Sequence, residues 1–187
     1  MKYKTESLTK YLNDLSAKLP APGGGSAAAL NAAMAASLIS MVVNFTLGLP
    51  KYAAFARELR GILIKSERLR VDFLDLVDLD VEAYQSKNIR KAIDVPFMLS
   101  RLCNQAAKLC PPLIKKGNIN LISDVAVAAV FLESAFVCAC FNVEINLKNL
   151  GDKKLAQGIR KELNRMNKAV VKIRKNTEGS LGKIIRG

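Results

Sequence analysis

No charged residue occurs between Lys18 and Lys51, and most of that interval is apolar. A stretch of that length and character either crosses a bilayer or lies inside a protein core. Alanine dominates it, and Asn31, Ser37, Ser40, Asn44 and Thr46 interrupt it, so it is far less apolar than a leucine-rich span. It therefore reads as a buried helix rather than a membrane segment. Such a helix needs other helices around it, and the 187 residues, 50% of them hydrophobic, suffice for one sizeable core. No Ser/Gly/Pro-rich tract separates two halves and no internal repeat is present, so residues 1–187 read as one domain.

Hydrophobic periodicity supplies the remaining elements. Over residues 5–19, Leu8, Leu12, Leu15 and Leu19 recur at helical spacing, predicting a first amphipathic helix. Pro20, Pro22 and three glycines, Gly23, Gly24 and Gly25, end it in a turn, after which Ser26 stands where an N-cap belongs. The uncharged helix then runs to about residue 47, and a third spans about residues 52–84. A fourth starts near Pro96 and is interrupted at Pro111 and Pro112. A fifth, with Ser123 as its N-cap, is as apolar as the second and reaches about residue 149, and a basic helix over about residues 153–176 closes the chain. No stretch alternates as a strand does. The fold class is all-α, a bundle of five or six helices with long buried members.

Polar side chains inside the two apolar helices need partners or a ligand. Ser26 and Asn44 are five helical turns apart, with Ser37 and Ser40 close to the same line; Asp124 and Asn142 have the same separation, with Asn146 one turn further. Two readings stay open: the stripes bond to each other across a helix interface, or they line a cleft for a flat polar ligand. The glycine turn at the start of a helix is either a plain connection or a cradle of free N–H groups for a carboxylate or phosphate. It lacks the lysine of a P-loop and follows a helix rather than a strand.

Histidine is absent and the four cysteines include no Cys-x-x-Cys pair, which excludes zinc and haem sites of familiar spacing and leaves proton transfer to Asp, Glu, Lys, Tyr or Cys. Asp78, Asp80, Glu82 and Tyr84 cluster near the end of the third helix, where crowded like charges would raise one carboxyl's proton affinity or simply form a solvated acidic end. Free thiols and a charged N-terminus point to a cytoplasmic location. The net charge of +13 favours anionic partners. Lys148, Lys153, Lys154, Arg160, Lys161, Arg165, Lys168, Lys172, Arg174 and Lys175 do not all share one helix face, and few aromatics are present to stack bases, so nucleic acid is disfavoured.

Several of these pieces in this order resemble the cyclodeaminase and methenyltetrahydrofolate cyclohydrolase family. They are Pro20-Ala21-Pro22-Gly23-Gly24-Gly25-Ser26, the helix ending Met41-Val42-Val43-Asn44-Phe45-Thr46, Asp80-Val81-Glu82-Ala83-Tyr84, Val95-Pro96, Gly117-Asn118, Ser123-Asp124 and Asn142-Val143-Glu144-Ile145-Asn146-Leu147. The resemblance covers nearly the whole chain. It implies a helical homodimer, or a dimer of dimers, that binds a tetrahydrofolate derivative as substrate, with polyglutamylated forms included, and uses no metal and no prosthetic group. It implies either hydrolysis of 5,10-methenyltetrahydrofolate to 10-formyltetrahydrofolate or ammonia loss from 5-formimidoyltetrahydrofolate. Asp80 would relay protons; Asp124, Asn118, Asn142 and Asn146 would bind the pterin or orient water; Gly23, Gly24, Gly25 and Ser26 would pack on the ligand, with Lys51 meeting the glutamate tail. For a chain of one domain the hydrolysis is the primary expectation. Between Tyr84 and Val95 only ten residues remain, fewer than in the family pattern, and Leu47-Gly48-Leu49-Pro50-Lys51-Tyr52 is less basic than that pattern. A non-catalytic, anion- or folate-binding relative is therefore the alternative from a different class.

Overall fold

The computed structural model describes residues 2–186. Six helices of nine residues or more carry it: α1 (Leu8–Ser16), α2 (Gly24–Asn44), α3 (Ala56–Gln85), α4 (Ile89–Ala107), α6 (Ile122–Leu147) and α7 (Lys153–Arg186), with a short α5 (Cys110–Lys116) after α4. Among the described residues there is no strand. The all-α bundle expected from the sequence is what forms.

Helices α2, α3, α4 and α6 make a four-helix core in which α2 packs on α3 and α6, and α4 packs on the same two; the diagonal pairs barely touch. Ser40 on α2 bonds Ser66 on α3 (2.8 Å), while Asn31 on α2 donates to the Phe131 carbonyl of α6 (3.1 Å). The α2 sequence is rich in alanine because two neighbours must approach its backbone closely: Ala32, Ala35 and Ala36 are fully buried. Helix α7 lies outside, across α6 and α4. By length and composition α2 and the stretch Ile119–Leu147 are both able to cross a bilayer, but the apolar window of α2 is 61% buried and that of the second is 44% buried. The core explains the apolarity of α2 and leaves part of α6 uncovered.

Local expectations are corrected at four places. The leucine stripe of the first helix is its inner face only at Leu15, which packs on the core; Leu8, Leu12 and Leu19 are exposed, and Tyr11 is buried, its ring edge-on to Tyr3 at 5.5 Å. Helix α1 is only nine residues long, and the Tyr3–Thr5 turn before it packs on α3, so the aromatic pair rather than the leucines anchors it. Ser26 is not an N-cap, because α2 already begins at Gly24. Nor is Ser123, since α6 begins at Ile122 out of a short turn capped by Asn118.

The fourth correction concerns Pro96. The sequence places it near the start of α4, yet α4 starts at Ile89, capped by the Asn88 side chain, and Pro96 is buried in its interior. Proline has no N–H, so the carbonyl four residues earlier, that of Ala92, loses its helical donor. The Asn146 side chain on α6 donates to that carbonyl at 2.7 Å. Tertiary packing thus supplies what the backbone lacks. Pro111 and Pro112 do break the helix, and α5 starts one residue before them.

Candidate active site

Antiparallel α2 and α3 bring Asp80 to the N-terminus of α2. A Cβ on Gly25 would fall within the Asp80 carboxyl group, 2.6 Å from its Cγ and 2.8 Å from Oδ2. Only glycine lets α3's carboxylate come that near, whereas a Cβ on Gly23 or Gly24 would meet nothing within 4 Å. The carboxylate that lies beside the glycine turn is the protein's own, that of Asp80.

Burial pushes the Asp80 carboxyl up from the usual carboxylate range, and the Ser26 backbone N–H directed at it opposes part of that rise. The positive end of the α2 dipole acts in the same opposing sense. Burial, not crowding by other acids, is the cause. Asp78 is buried under the N-terminal turn, where it accepts the Lys4 N–H at 3.3 Å, while Glu82 and Tyr84 are exposed.

Tyr11 completes the cluster. Its hydroxyl donates to Ser26 Oγ at 3.1 Å, and burial first, then the Asp80 charge, pushes its proton affinity up against the pull of that hydrogen bond. Sequence reasoning missed Tyr11 because its partner is fifteen residues away on another helix. The available signal was its place three residues after Leu8 on a helix whose leucines outnumber the neighbours it could pack against. Ser26 therefore serves twice, its N–H toward Asp80 and its side chain toward Tyr11.

The other anticipated site residues divide between the two ends of the bundle. Lys51, Asn118 and Asp124 lie at the C-terminal end of α2, and Asp124 is about 27 Å from Asn142 along α6 at 1.5 Å per residue. Asn118 is engaged there: its N–H donates to Thr46 Oγ1 (2.9 Å), its amide to the Phe45 carbonyl (3.4 Å), and its Oδ1 accepts the Asn120 N–H (3.1 Å). Lys51 is exposed, with its ammonium 5.6 Å from the Tyr52 ring centre. Asp124 is half-buried rather than buried, in the first turn of α6, where the helix dipole favours a carboxylate.

Asn142 and Asn146 lie at the Asp80 end but on α6, diagonal to α3. Asn142 donates to its own helix at the Cys138 carbonyl (2.9 Å), and Asn146 is committed to Ala92. The two polar stripes thus do not enclose one cleft within a single chain. Ser26 and Ser40 satisfy themselves on α1 and α3 instead. Two of the thiols are poor nucleophiles: burial pushes Cys110 up to about 12 and Cys140 up to about 11. Among the described residues no group of His, Cys, Asp and Glu side chains is arranged to hold a metal ion.

The connection from α3 to α4 closes this end of the bundle in residues 86–88, with Lys87 in the left-handed region at φ 51°. Helix α3 continues only five residues beyond Asp80, so no longer wall stands over the carboxylate on that side.

Comparison with known proteins bears on this arrangement. The family model described as Formiminotransferase-cyclodeaminase matches residues 7–87 and 86–165, two segments that meet in the short connection after α3. Methenyltetrahydrofolate cyclohydrolase of Methylorubrum extorquens is 35% identical, over 84% of this chain and 87% of its own length. Formimidoyltransferase-cyclodeaminase of Rattus norvegicus is 30% identical over 78% of this chain, which spans 31% of that longer protein. The crystal structure of formiminotetrahydrofolate cyclodeaminase from Thermotoga maritima superimposes with a TM-score of 0.93 at 27% identity, covering 97% of this chain and 98% of the other. Matched by that family model from its first helix into its last, 35% identical to one relative along most of both chains and sharing its helical architecture with another, this chain belongs to the formiminotransferase-cyclodeaminase family.

Proposed function

We propose that this protein hydrolyses 5,10-methenyltetrahydrofolate to 10-formyltetrahydrofolate, with Asp80 as the group that moves protons. The observation that carries this reading is the Asp80 carboxyl seated on Gly25 and Ser26 at the start of α2, its proton affinity raised by burial. A carboxyl shifted toward neutral pH both takes and returns a proton. Water adds to the bridging carbon between N5 and N10 while Asp80 accepts one of its protons. Cleavage of the bond from that carbon to N5 then needs a proton on N5, which Asp80 returns, and loss of the remaining hydroxyl proton leaves the N10 formyl group. The cyclohydrolase relative, 35% identical along most of both chains, supports this choice.

The likeness to a solved cyclodeaminase favours a second reaction at the same carboxyl. There N10 closes on the carbon of the protonated formimidoyl group of 5-formimidoyltetrahydrofolate, Asp80 takes the proton that N10 loses and passes it to the departing nitrogen, and that nitrogen leaves as ammonia. Following each folate spectroscopically with wild type and Asp80→Asn separates the two. Loss of the methenyl absorbance faster than the uncatalysed rate, abolished in a folded Asp80→Asn protein, supports hydrolysis. Formation of that absorbance from the formimidoyl compound assigns cyclodeamination. Neither change leaves a non-catalytic folate-binding protein.

The reading includes a homodimer. Met34 on α2, Phe45 just after it, and Val127, Val130, Phe141 and Ile145 on α6 are exposed along one side of the packed α2–α6 pair, and a second copy is the occupant that buries them. A two-fold axis near Met34 and Val130 sets the far end of one subunit beside the near end of the other. Lys51 and Asn118, remote from Asp80 in their own chain, then approach the Asp80 of the neighbouring subunit, with Lys51 available to a glutamate tail. Mixed dimers of Asp80→Asn and Lys51→Ala chains test this, since they regain one intact site only if the two residues act across subunits. The four free cysteines suit a reducing, cytoplasmic setting, and the proposed chemistry needs no prosthetic group.

A further inference from the structure

Helix α7 is oriented by its buried side, where Ala156, Ile159, Leu163, Met166, Val170 and Thr177 face the bundle. Two of its cations point inward as well: Arg160 pairs with Glu144 of α6, and Arg174 with Glu133 of α6 and Glu178. At 100° per residue the opposite side occupies an arc of about 80°. Ten positions fall in it: Lys154, Lys161, Arg165, Lys168, Lys172, Lys175, Lys183 and Arg186, with Gln157 and Gly179 between them. The basic residues of this stretch scatter in sequence because Lys148, Lys153, Arg160 and Arg174 lie off the arc.

All eight cations are exposed, and among the described residues none is within ion-pairing distance of a carboxylate. The acids of α7 lie off the arc, Glu162 turned to Arg101 and Glu178 to Arg174. A face built only for solubility intersperses acids, because like charges three and four residues apart repel and weaken the helix. This face does the reverse, over about 48 Å of helix.

We propose that the outer face of α7 adsorbs to an anionic phospholipid surface. A straight stripe on a convex helix touches a plane along its whole length, so all eight cations reach headgroups together. A nucleic-acid duplex is a narrow cylinder whose phosphates wind away from such a line, and the arc holds no aromatic side chain to stack on bases. It holds no apolar side chain either, so contact is electrostatic, without insertion, and falls as salt rises.

Cosedimentation of the full chain with vesicles tests this. Binding is expected to phosphatidylcholine vesicles containing one third phosphatidylglycerol at low salt, with release at high salt and none to phosphatidylcholine alone. Reversing Lys161, Arg165, Lys168 and Lys172 to Glu is expected to weaken binding by at least about 100-fold, at roughly fivefold per cation, with helicity and folate turnover unchanged. Reversing Lys65, Arg68, Lys108 and Lys115, exposed cations of other elements, makes the same change in net charge and should preserve most of the binding. If the first set fails to fold, the same four positions as Gln give the same comparison. No binding to anionic vesicles overturns the proposal, as does equal loss from the second set. Transfer of the protein from vesicles to duplex RNA or DNA at equal phosphate concentration assigns the face to nucleic acid and overturns it too.

Discussion

The two ends of α2 are finished in different ways. At its C-terminal end Thr46 is fully buried, bonds the Val42 carbonyl and accepts the Asn118 N–H, while Tyr52 accepts the Ile119 N–H at 3.1 Å. These hydrogen bonds all join neutral groups. At its N-terminal end a glycine makes room for a buried carboxylate whose ionised form is disfavoured by its surroundings. One end closes a connection, and the other keeps a charge where burial penalises it. A protein tolerates the second arrangement where the perturbed group has work to do.

The strongest test of that contrast is Asp80→Asn, expected to lower turnover by about 100-fold or more, the usual contribution of a positioned acid or base. Its stability should move the other way. Burial raises the Asp80 pKa above its unfolded value, so the folded state holds the proton longer and wild type loses stability as pH rises through the interval between the two. The Asn variant should therefore be the more stable one at neutral pH, with the advantage vanishing at acid pH where Asp80 is protonated. Chemical denaturation across pH checks this, and a variant less stable at neutral pH would erase the contrast.

Gly25→Ala should come next, displacing the carboxyl and lowering turnover by a comparable factor, whereas Gly24→Ala, with open space at its Cβ, should leave turnover within a few-fold. At the structural end Thr46→Val is expected to cost about 1 kcal/mol by removing the acceptor of the half-buried Asn118 N–H. Asn146→Leu should cost a similar amount by stripping the Ala92 carbonyl of its donor; a large fall in kcat without loss of stability would instead return Asn146 to the site. The smallest effect expected is that of Tyr11→Phe, a few-fold change in rate with a shift in its pH profile, because it removes one hydrogen bond to Ser26 and leaves the ring packed.

Much of this was legible in one dimension. The uncharged run before Lys51 demanded a buried helix, and it forms the centre of the core. The Asp80 element and the glycine turn were both visible as motifs, but their contact was not, since the two are more than fifty residues apart. Periodicity misled where elements were short or shared. Leu8 and Leu12 of α1 have the right spacing and still face solvent, because Tyr3 and Tyr11 fill the surface they would cover. Asp124 and Asn142 share a helical line and still stand far apart, because a line along a helix is a direction and not a place.

By itself the sequence determined the helical class, the buried helices and the glycine turn before the second of them, all of which follow from local periodicity and side-chain chemistry. The tertiary structure alone decided which carboxylate occupies the start of α2, which asparagine serves the proline of α4, and which cations of α7 share a free face. Those outcomes depend on the antiparallel register of helices distant in the chain, and register is set by packing across the core rather than by any short stretch of residues.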